Sequence, residues 1–151
     1  MKKILITGCS GTIGSALVEK FSKISSNNLI CIDNNEGSLF ELSNKYINSN
    51  TKFIFCDIRD QNKLNQLMSN IDICFHAAAL KHVGICEDSP SDAIKTNILG
   101  VNNLIDAAIN NKIKKFIYTS SDKAVHPTNI MGASKLVGEK LITAANFREN
   151  N

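Results

Sequence analysis

The stretch Lys3-Ile4-Leu5-Ile6-Thr7-Gly8-Cys9-Ser10-Gly11-Thr12-Ile13-Gly14 decides the reading of this chain. A short apolar run ends in a turn whose glycines are spaced G-x-x-G-x-x-G. Apolar residues then recur at helical spacing, at Ile13, Leu17, Phe21 and Ile24. A buried strand therefore turns directly into a helix. Gly8 lets the chain turn tightly off the strand, Gly11 lets the backbone approach a pyrophosphate, and Gly14 lets the helix pack close to the sheet. The first helical turn offers free N–H groups and a positive dipole end to phosphates. Ser10, Thr12 and Ile13 belong to the same candidate dinucleotide-binding turn.

The alternation continues outward from this turn. Residues 29–32, 52–56, 72–76 and 115–119 read as further strands, each short and nearly wholly apolar. Helical patterns occupy about 36–46, the segment carrying Leu64, Leu67, Met68 and Ile71, a long run from Pro90 through Ala108, and Met131 to about Ala145. Asp88-Ser89-Pro90 marks the start of the long run, a polar cap followed by proline. Strand and helix repeat five times. Nearly continuous apolar strands fit a parallel sheet covered on both faces, and right-handed crossovers make it a doubly wound α/β sheet of order 3-2-1-4-5. One domain is expected over residues 1–146, with a polar tail at 147–151 that frays.

Composition sets the class. The chain has 151 residues, 43% hydrophobic and 21% charged, with a net charge of +3, which is ordinary for a globular domain. The 17 basic residues are spread out, so neither a nucleic-acid partner nor a membrane surface is indicated. No apolar run has membrane-spanning length, and Gly8 breaks the first one too early for a signal peptide. The five cysteines stand at 9, 31, 56, 74 and 86 without a C-x-x-C. Their number and spacing argue against a disulfide framework or a metal site and suit a reduced, cytoplasmic compartment.

Asp33 ends the second strand, 19 residues after Gly14. A carboxylate there can accept both ribose hydroxyls of NAD and would repel the extra phosphate of NADP. The other reading is a turn residue in Asp33-Asn34-Asn35. A second polar stretch runs from Thr119 to Lys135 and begins at the carboxyl end of strand five, where ligands of such sheets sit. It contains Ser121-Asp122-Lys123-Ala124 and Pro127-Thr128-Asn129-Ile130-Met131-Gly132. Taken alone it also reads as a solvated loop.

The spaced glycine motif resembles that of the short-chain dehydrogenase/reductase superfamily, with its Rossmann fold. Three further segments resemble the extended branch of that superfamily. Asp57-Ile58-Arg59-Asp60 resembles its adenine-edge contact, carried by Asp57 and Ile58. His76-Ala77-Ala78-Ala79 resembles the small-residue turn beneath the cofactor, and Asn97 with Gly100 resembles the N-x-x-G element. Plainer readings stand beside these, with Asp60 as a helix cap and the alanines as packing.

With His76–Val83, the stretch from Thr119 to Lys135 closely resembles the nucleotide-sugar 4,6-dehydratases of polysaccharide biosynthesis, which act on UDP-N-acetylglucosamine. The resemblance runs from residue 3 to about 145. It implies NAD as cofactor, with NADP as the alternative, and a nucleotide sugar as substrate. It also implies roles: Lys123 removes the C5 proton, Asp122 protonates the departing C6 hydroxyl, Ser121 bonds the C4 oxygen, and Lys135 binds the nicotinamide ribose. Lys81 and His82 would approach the cofactor or the sugar, and His82 reads equally well as a surface residue. The superfamily's tyrosine, four residues before the lysine, is here Met131, as in a branch of the dehydratases. A thioether carries no proton, so the task of general base passes to the Ser121–Lys123 cluster or a bound water, and Met131 reads as helix packing.

Members of this family are about twice as long. The expectation is that the substrate domain is missing and that these 151 residues alone turn nothing over. Self-association into a homo-oligomer is left open. Two other functions remain: a nucleotide-sugar 4-epimerase, which shares oxidation at C4, and a dinucleotide-binding module without catalysis.

Overall fold

The computed structural model describes residues 2–47 and 49–148. Five strands, β1 (Lys2–Thr7), β2 (Asn27–Asp33), β3 (Thr51–Phe55), β4 (Ile73–His76) and β5 (Lys115–Tyr118), form one sheet of order β3-β2-β1-β4-β5. All neighbours are parallel, with Ile4 opposite Leu29 and Ile73, Leu29 opposite Thr51, and Ile73 opposite Lys115. This is the topology expected from the alternating apolar runs.

The two-residue period of a strand sends alternate side chains of β1 to opposite faces. Ile4 and Ile6 join Val18 of α1 (Thr12–Ser22) and Leu39 of α2 (Glu36–Lys45) on one side. Leu5 joins Leu64 of α3 (Gln61–Leu67) and Leu104 of α6 (Gly100–Asn110) on the other. All five cysteines are buried free thiols within these cores or the smaller one around Met131. Covering is incomplete at the sheet edges, where Phe55 and Ile117 are exposed.

Several elements differ from the expected pattern. Residues Val83–Asp88 form a short helix, α4, which buries only Cys86 and is too brief to show a period. The long helix from Pro90 is α5 (Pro90–Ile94) and α6 joined by a π-helical turn at Lys95–Leu99, in which Gly100 N–H bonds Lys95 O. A 3-10 turn occupies Asp122–Ala124. The last helix, α7, runs Ile130–Arg148, and Arg148 pairs with Asp106 of α6 at 2.8 Å. Phe147 and Arg148, placed in a frayed tail by sequence, are thus helical, whereas residues 149–151 lie outside the described residues. Among the described residues, no helix is long and apolar enough to cross a membrane.

Candidate functional site

The glycine turn is shaped by two close approaches. Gly8 has φ 66°, a left-handed conformation, and a Cβ there would lie 2.6 Å from Ala78 N and 2.7 Å from Ala78 Cα. A Cβ on Gly14 would collide with the Gly8 carbonyl oxygen and stand 2.7 Å from Cys9 Cα. Helix α1 therefore starts directly against the turn, and its first residues line a cavity. Asp33 reaches back to the turn: one carboxylate oxygen accepts Ser10 N–H at 3.0 Å and Ser10 Oγ–H at 2.7 Å, and the other accepts Asn35 N–H at 3.0 Å.

A cavity of about 550 Å³ lies over this turn, lined by residues 10–14, Asp33, Ala77–Ala79 and Lys81. It shares Gly8, Asp33, Asn34, Ala78 and Ala79 with a second cavity of about 430 Å³ walled by Ile32, Cys56, Ile58 and Arg59. The result is one groove across the carboxyl ends of β1 to β4, the switch point of a doubly wound sheet. A bare backbone cradle at a helix N-terminus, continued by a half-apolar slot, fits a dinucleotide.

The remaining cofactor candidates fall around this groove. Asp57 is clasped by Arg59, whose Nε lies 2.9 Å from Oδ1 and whose Nη2 lies 2.5 Å from Oδ2. That bond holds the Asp57 carboxyl below its usual range. Asp60 caps α3 by accepting Lys63 N–H at 3.0 Å, the plainer of its two readings. Asn97 is fully buried and lines neither cavity. Its amide accepts Leu80 N–H at 2.9 Å and donates at 2.9 Å to both Leu80 O and Ser134 Oγ. It thus clasps the loop that floors the groove to α7. The π turn sits where this clasp is made, as such turns often do at functional sites.

At the end of β5 the three residues Ser121, Asp122 and Lys123 form one network. Ser121 Oγ–H donates to Asp122 Oδ1 at 3.0 Å, and Lys123 Nζ lies 3.6 Å from the same oxygen. The Ser121 bond, then the Lys123 charge, holds the Asp122 carboxyl below its ordinary range. Both charged side chains are open to solvent. Met131 is turned away from solvent, packed with Cys86 and Ala93 beside Leu80, Val83 and Ile130. Lys135 is buried at 6% exposure, donates to Thr119 O at 2.6 Å, and lies 4.3 Å over the Tyr118 ring.

Four features were not read from the sequence. Glu139 accepts the Ser120 hydroxyl in a short bond and ties α7 to the end of β5; its place four residues after Lys135 was a usable signal. Glu87 of α4 accepts Ile130 N–H at 2.7 Å at the start of α7. His76 is buried next to the Ala77–Ala79 loop, with Nδ1 2.7 Å from Thr7 Oγ1 and Nε2 without a partner among the described residues. Burial, then the Lys135 charge, drives its imidazole down to about 3. The Tyr118 hydroxyl, also without a partner among the described residues, is pushed up to about 12 by burial. Nothing local marks these last three.

Known proteins resemble this arrangement closely. The family described as polysaccharide biosynthesis protein matches residues 4–151. A protein of Methanocaldococcus jannaschii named as an uncharacterized membrane protein is 43% identical over 146 residues, 97% of this chain and 44% of its own length. The inverting UDP-N-acetylglucosamine 4,6-dehydratase of Campylobacter jejuni is 40% identical over 96% of the chain and 44% of its length. The UDP-glucose 4-epimerase of Rickettsia felis is 41% identical over 95% and 43%. Among solved structures, Pen from Bacillus thuringiensis superposes with a TM-score of 0.96 at 39% identity, over 99% of this chain and 46% of that one. A Bacillus cereus UDP-glucuronic acid 4-epimerase with UDP-glucuronic acid and NAD gives 0.88 at 26% identity, over 98% and 53%. The chain spans less than half the length of the curated relatives it matches. Glycine turn, sheet order and matched span together place this chain in the polysaccharide biosynthesis protein family, as a unit of Rossmann-type fold.

Proposed function

We propose that the chain is the NAD-binding, acid–base-bearing part of a nucleotide-sugar 4,6-dehydratase acting on UDP-N-acetylglucosamine. The observation that carries this reading is the Ser121–Asp122–Lys123 network at the end of β5, beside a position 131 that has no proton to exchange. Epimerisation at C4 needs one group to move the hydroxyl proton. Elimination of water across C5 and C6 needs an acid and a base together, and adjacent Asp122 and Lys123 supply that pair. The relative from Campylobacter jejuni and the complex with NAD support the same substrate class and cofactor.

Residues 8–14 cradle the pyrophosphate and Asp33 takes the adenosine ribose. Asp57 and Ile58 border the adenine, Ala77–Ala79 floor the groove, and Lys81 adds a positive charge beside the phosphates. Asn97 acts on the cofactor through the Leu80 loop. NAD bound there would supply the acceptor for the C4 hydride and the donor for its return at C6. Lys123 removes the C5 proton, made acidic by the C4 ketone, and Asp122 protonates the leaving C6 hydroxyl. Ser121 holds the C4 oxygen, and Lys135 the nicotinamide ribose.

The test is a chimera in which residues 1–151 precede the complementary half of the Campylobacter jejuni dehydratase, supplied with UDP-N-acetylglucosamine and NAD. Loss of one water mass to give a 4-keto-6-deoxy sugar is expected. Conversion to the 4-epimer at unchanged mass would replace the proposal with the epimerase reading. In that chimera Lys123→Ala should abolish product while the NAD Kd stays within about threefold, because Lys123 acts on the sugar. Met131→Leu should keep most of the activity, since it preserves apolar volume.

Cofactor choice is a separate prediction. The Asp33 carboxylate should favour NAD over NADP by at least about tenfold, because like charges at a ribose 2′-phosphate cost more than 1.4 kcal/mol. Calorimetric titration of both into the 151-residue chain checks it. Equal affinities would assign Asp33 to the turn alone.

A further inference from the structure

Resting on the reading of this groove as the site where a sugar hydroxyl is oxidised, we propose that Lys135 itself accepts the hydroxyl proton, the task that residue 131 cannot perform. The geometry isolates this amine. It is buried at the carboxyl end of β5, one N–H bonded to Thr119 O at 2.6 Å and its underside covered by the Tyr118 ring at 4.3 Å. Among the described residues it forms no ion pair with any carboxylate. A buried ammonium without a counter-ion is costly, so this amine gives up its proton more readily than a surface lysine does. A neutral amine donates to Thr119 O and keeps its lone pair free to take a proton.

The other proton carriers nearby are less suited. Met131 lies in the apolar cluster with Cys86 and Ala93. The Tyr118 hydroxyl lies against Gly138, one turn past Lys135, with its proton held more tightly than usual. Asp122 is fully exposed, and its bonds to Ser121 and Lys123 weaken it as a base.

The electrostatic surroundings raise the share of the neutral form. Burial brings Lys135 down to about 8, with Glu139 on its own helix opposing. His76 faces it from β4 as a neutral ring, and Tyr118 from β5 as a neutral phenol. Charges on the other elements packed against α7 are engaged or exposed. Glu87 of α4 bonds Ile130 N–H, Asp106 of α6 pairs with Arg148, and Asp122 pairs with Lys123. Asp92 of α5 and Lys95 of the π turn are exposed. In the step itself, the O–H bond breaks and its proton joins Lys135 Nζ while the C4 hydride passes to NAD. The alcohol becomes a ketone, the cofactor is reduced, and the amine becomes an ammonium.

The first test titrates the side-chain amines of the 151-residue chain by NMR with isotope-labelled lysine. One resonance should titrate near 8 and be missing from Lys135→Arg, while surface lysines titrate near their usual value of about 10.4. A Lys135 that titrates with the others overturns the proposal, whatever the enzyme does. The second test follows cofactor reduction by UDP-N-acetylglucosamine in the chimera. Lys135→Arg keeps a charge and donors for the ribose but cannot take a proton near neutrality. It should slow reduction at saturating NAD by about 10²–10⁴-fold and remove the acid limb of the pH profile. Reduction at the wild-type rate in Lys135→Arg would overturn the proposal. If no variant of the chimera reduces cofactor, the dehydratase reading falls, and the titration alone decides whether Lys135 is a free base at the end of β5.

Discussion

Gly14→Ala is expected to weaken NAD binding by about 100-fold or more and to lower stability by about 1–3 kcal/mol. The reason is local and steric. The added Cβ would land on the Gly8 carbonyl oxygen and within 2.7 Å of Cys9 Cα and Gly8 C, all of them backbone. No rotamer relieves such a clash, so α1 must lift from the turn or the turn must open. Either movement spoils the convergence of the first α1 N–H groups on the pyrophosphate, which is the source of binding at such a turn. Calorimetric titration with NAD and urea unfolding of the same sample measure the two effects. Gly84→Ala is the control: nothing lies within 4 Å of a Cβ there, and its NAD affinity should equal that of the parent chain. Gly14→Ala binding NAD within about threefold of the parent would show that the turn is not the phosphate cradle.

Acid should destabilise the chain through His76 well before its carboxylates titrate. The imidazole is 1% exposed, and burial brings it from the ordinary 6.5 to about 3. Between those values the unfolded chain binds a proton that the folded chain refuses. The contribution is therefore fully present above pH 6.5 and is lost as pH falls toward 3. The slope approaches 1.36 kcal/mol per pH unit, and the loss over the window is on the order of 4 kcal/mol. The lowered carboxyls of Asp57, Asp72 and Asp122 have ordinary values near 3.8 and that of Glu19 an ordinary value of 4.5, so the range from pH 6.5 to about 5.5 isolates the histidine. Urea unfolding at several pH values in that range, for the parent and for His76→Phe, is the measurement. The variant should show a much flatter dependence, because Phe packs beside Phe116 and Tyr118 without a titrating group. Equal slopes in the two proteins would mean that His76 is accessible to water in the folded state.

The acid response and the proposed chemistry share one buried cluster. His76, Tyr118 and Lys135 lie together under the end of β5, and the positive charge of Lys135 is among the causes that keep His76 neutral. Protonation of the proposed base would thus be felt at the Ala77–Ala79 loop, where Thr7 joins His76 to Ala78 N–H.

How much of this was legible in the sequence follows from what local pattern encodes. Alternation of apolar runs with helical periods records which faces are buried, and right-handed crossovers leave little freedom in strand order, so residues 3–7 and their four successors determined the sheet. The glycine turn was legible because its spacing answers a steric need that acts within seven residues, from Gly8 to Gly14. The Ser121-Asp122-Lys123 trio was legible as a cluster because it is contiguous. Tertiary structure alone decided what depends on long-range contact. α4 exists because Cys86 finds Met131, 45 positions away in sequence, and that contact also settles which way Met131 faces. Asn97, which sequence placed with the cofactor, is drawn into a clasp between Leu80 and Ser134, because its buried amide must satisfy both donors and its acceptor inside the protein. Asp33 is oriented by Ser10, 23 residues earlier. The charge states of His76 and Lys135 are set by burial, which no short stretch of sequence records, since the water is excluded by side chains that arrive from β4, β5 and α7 together.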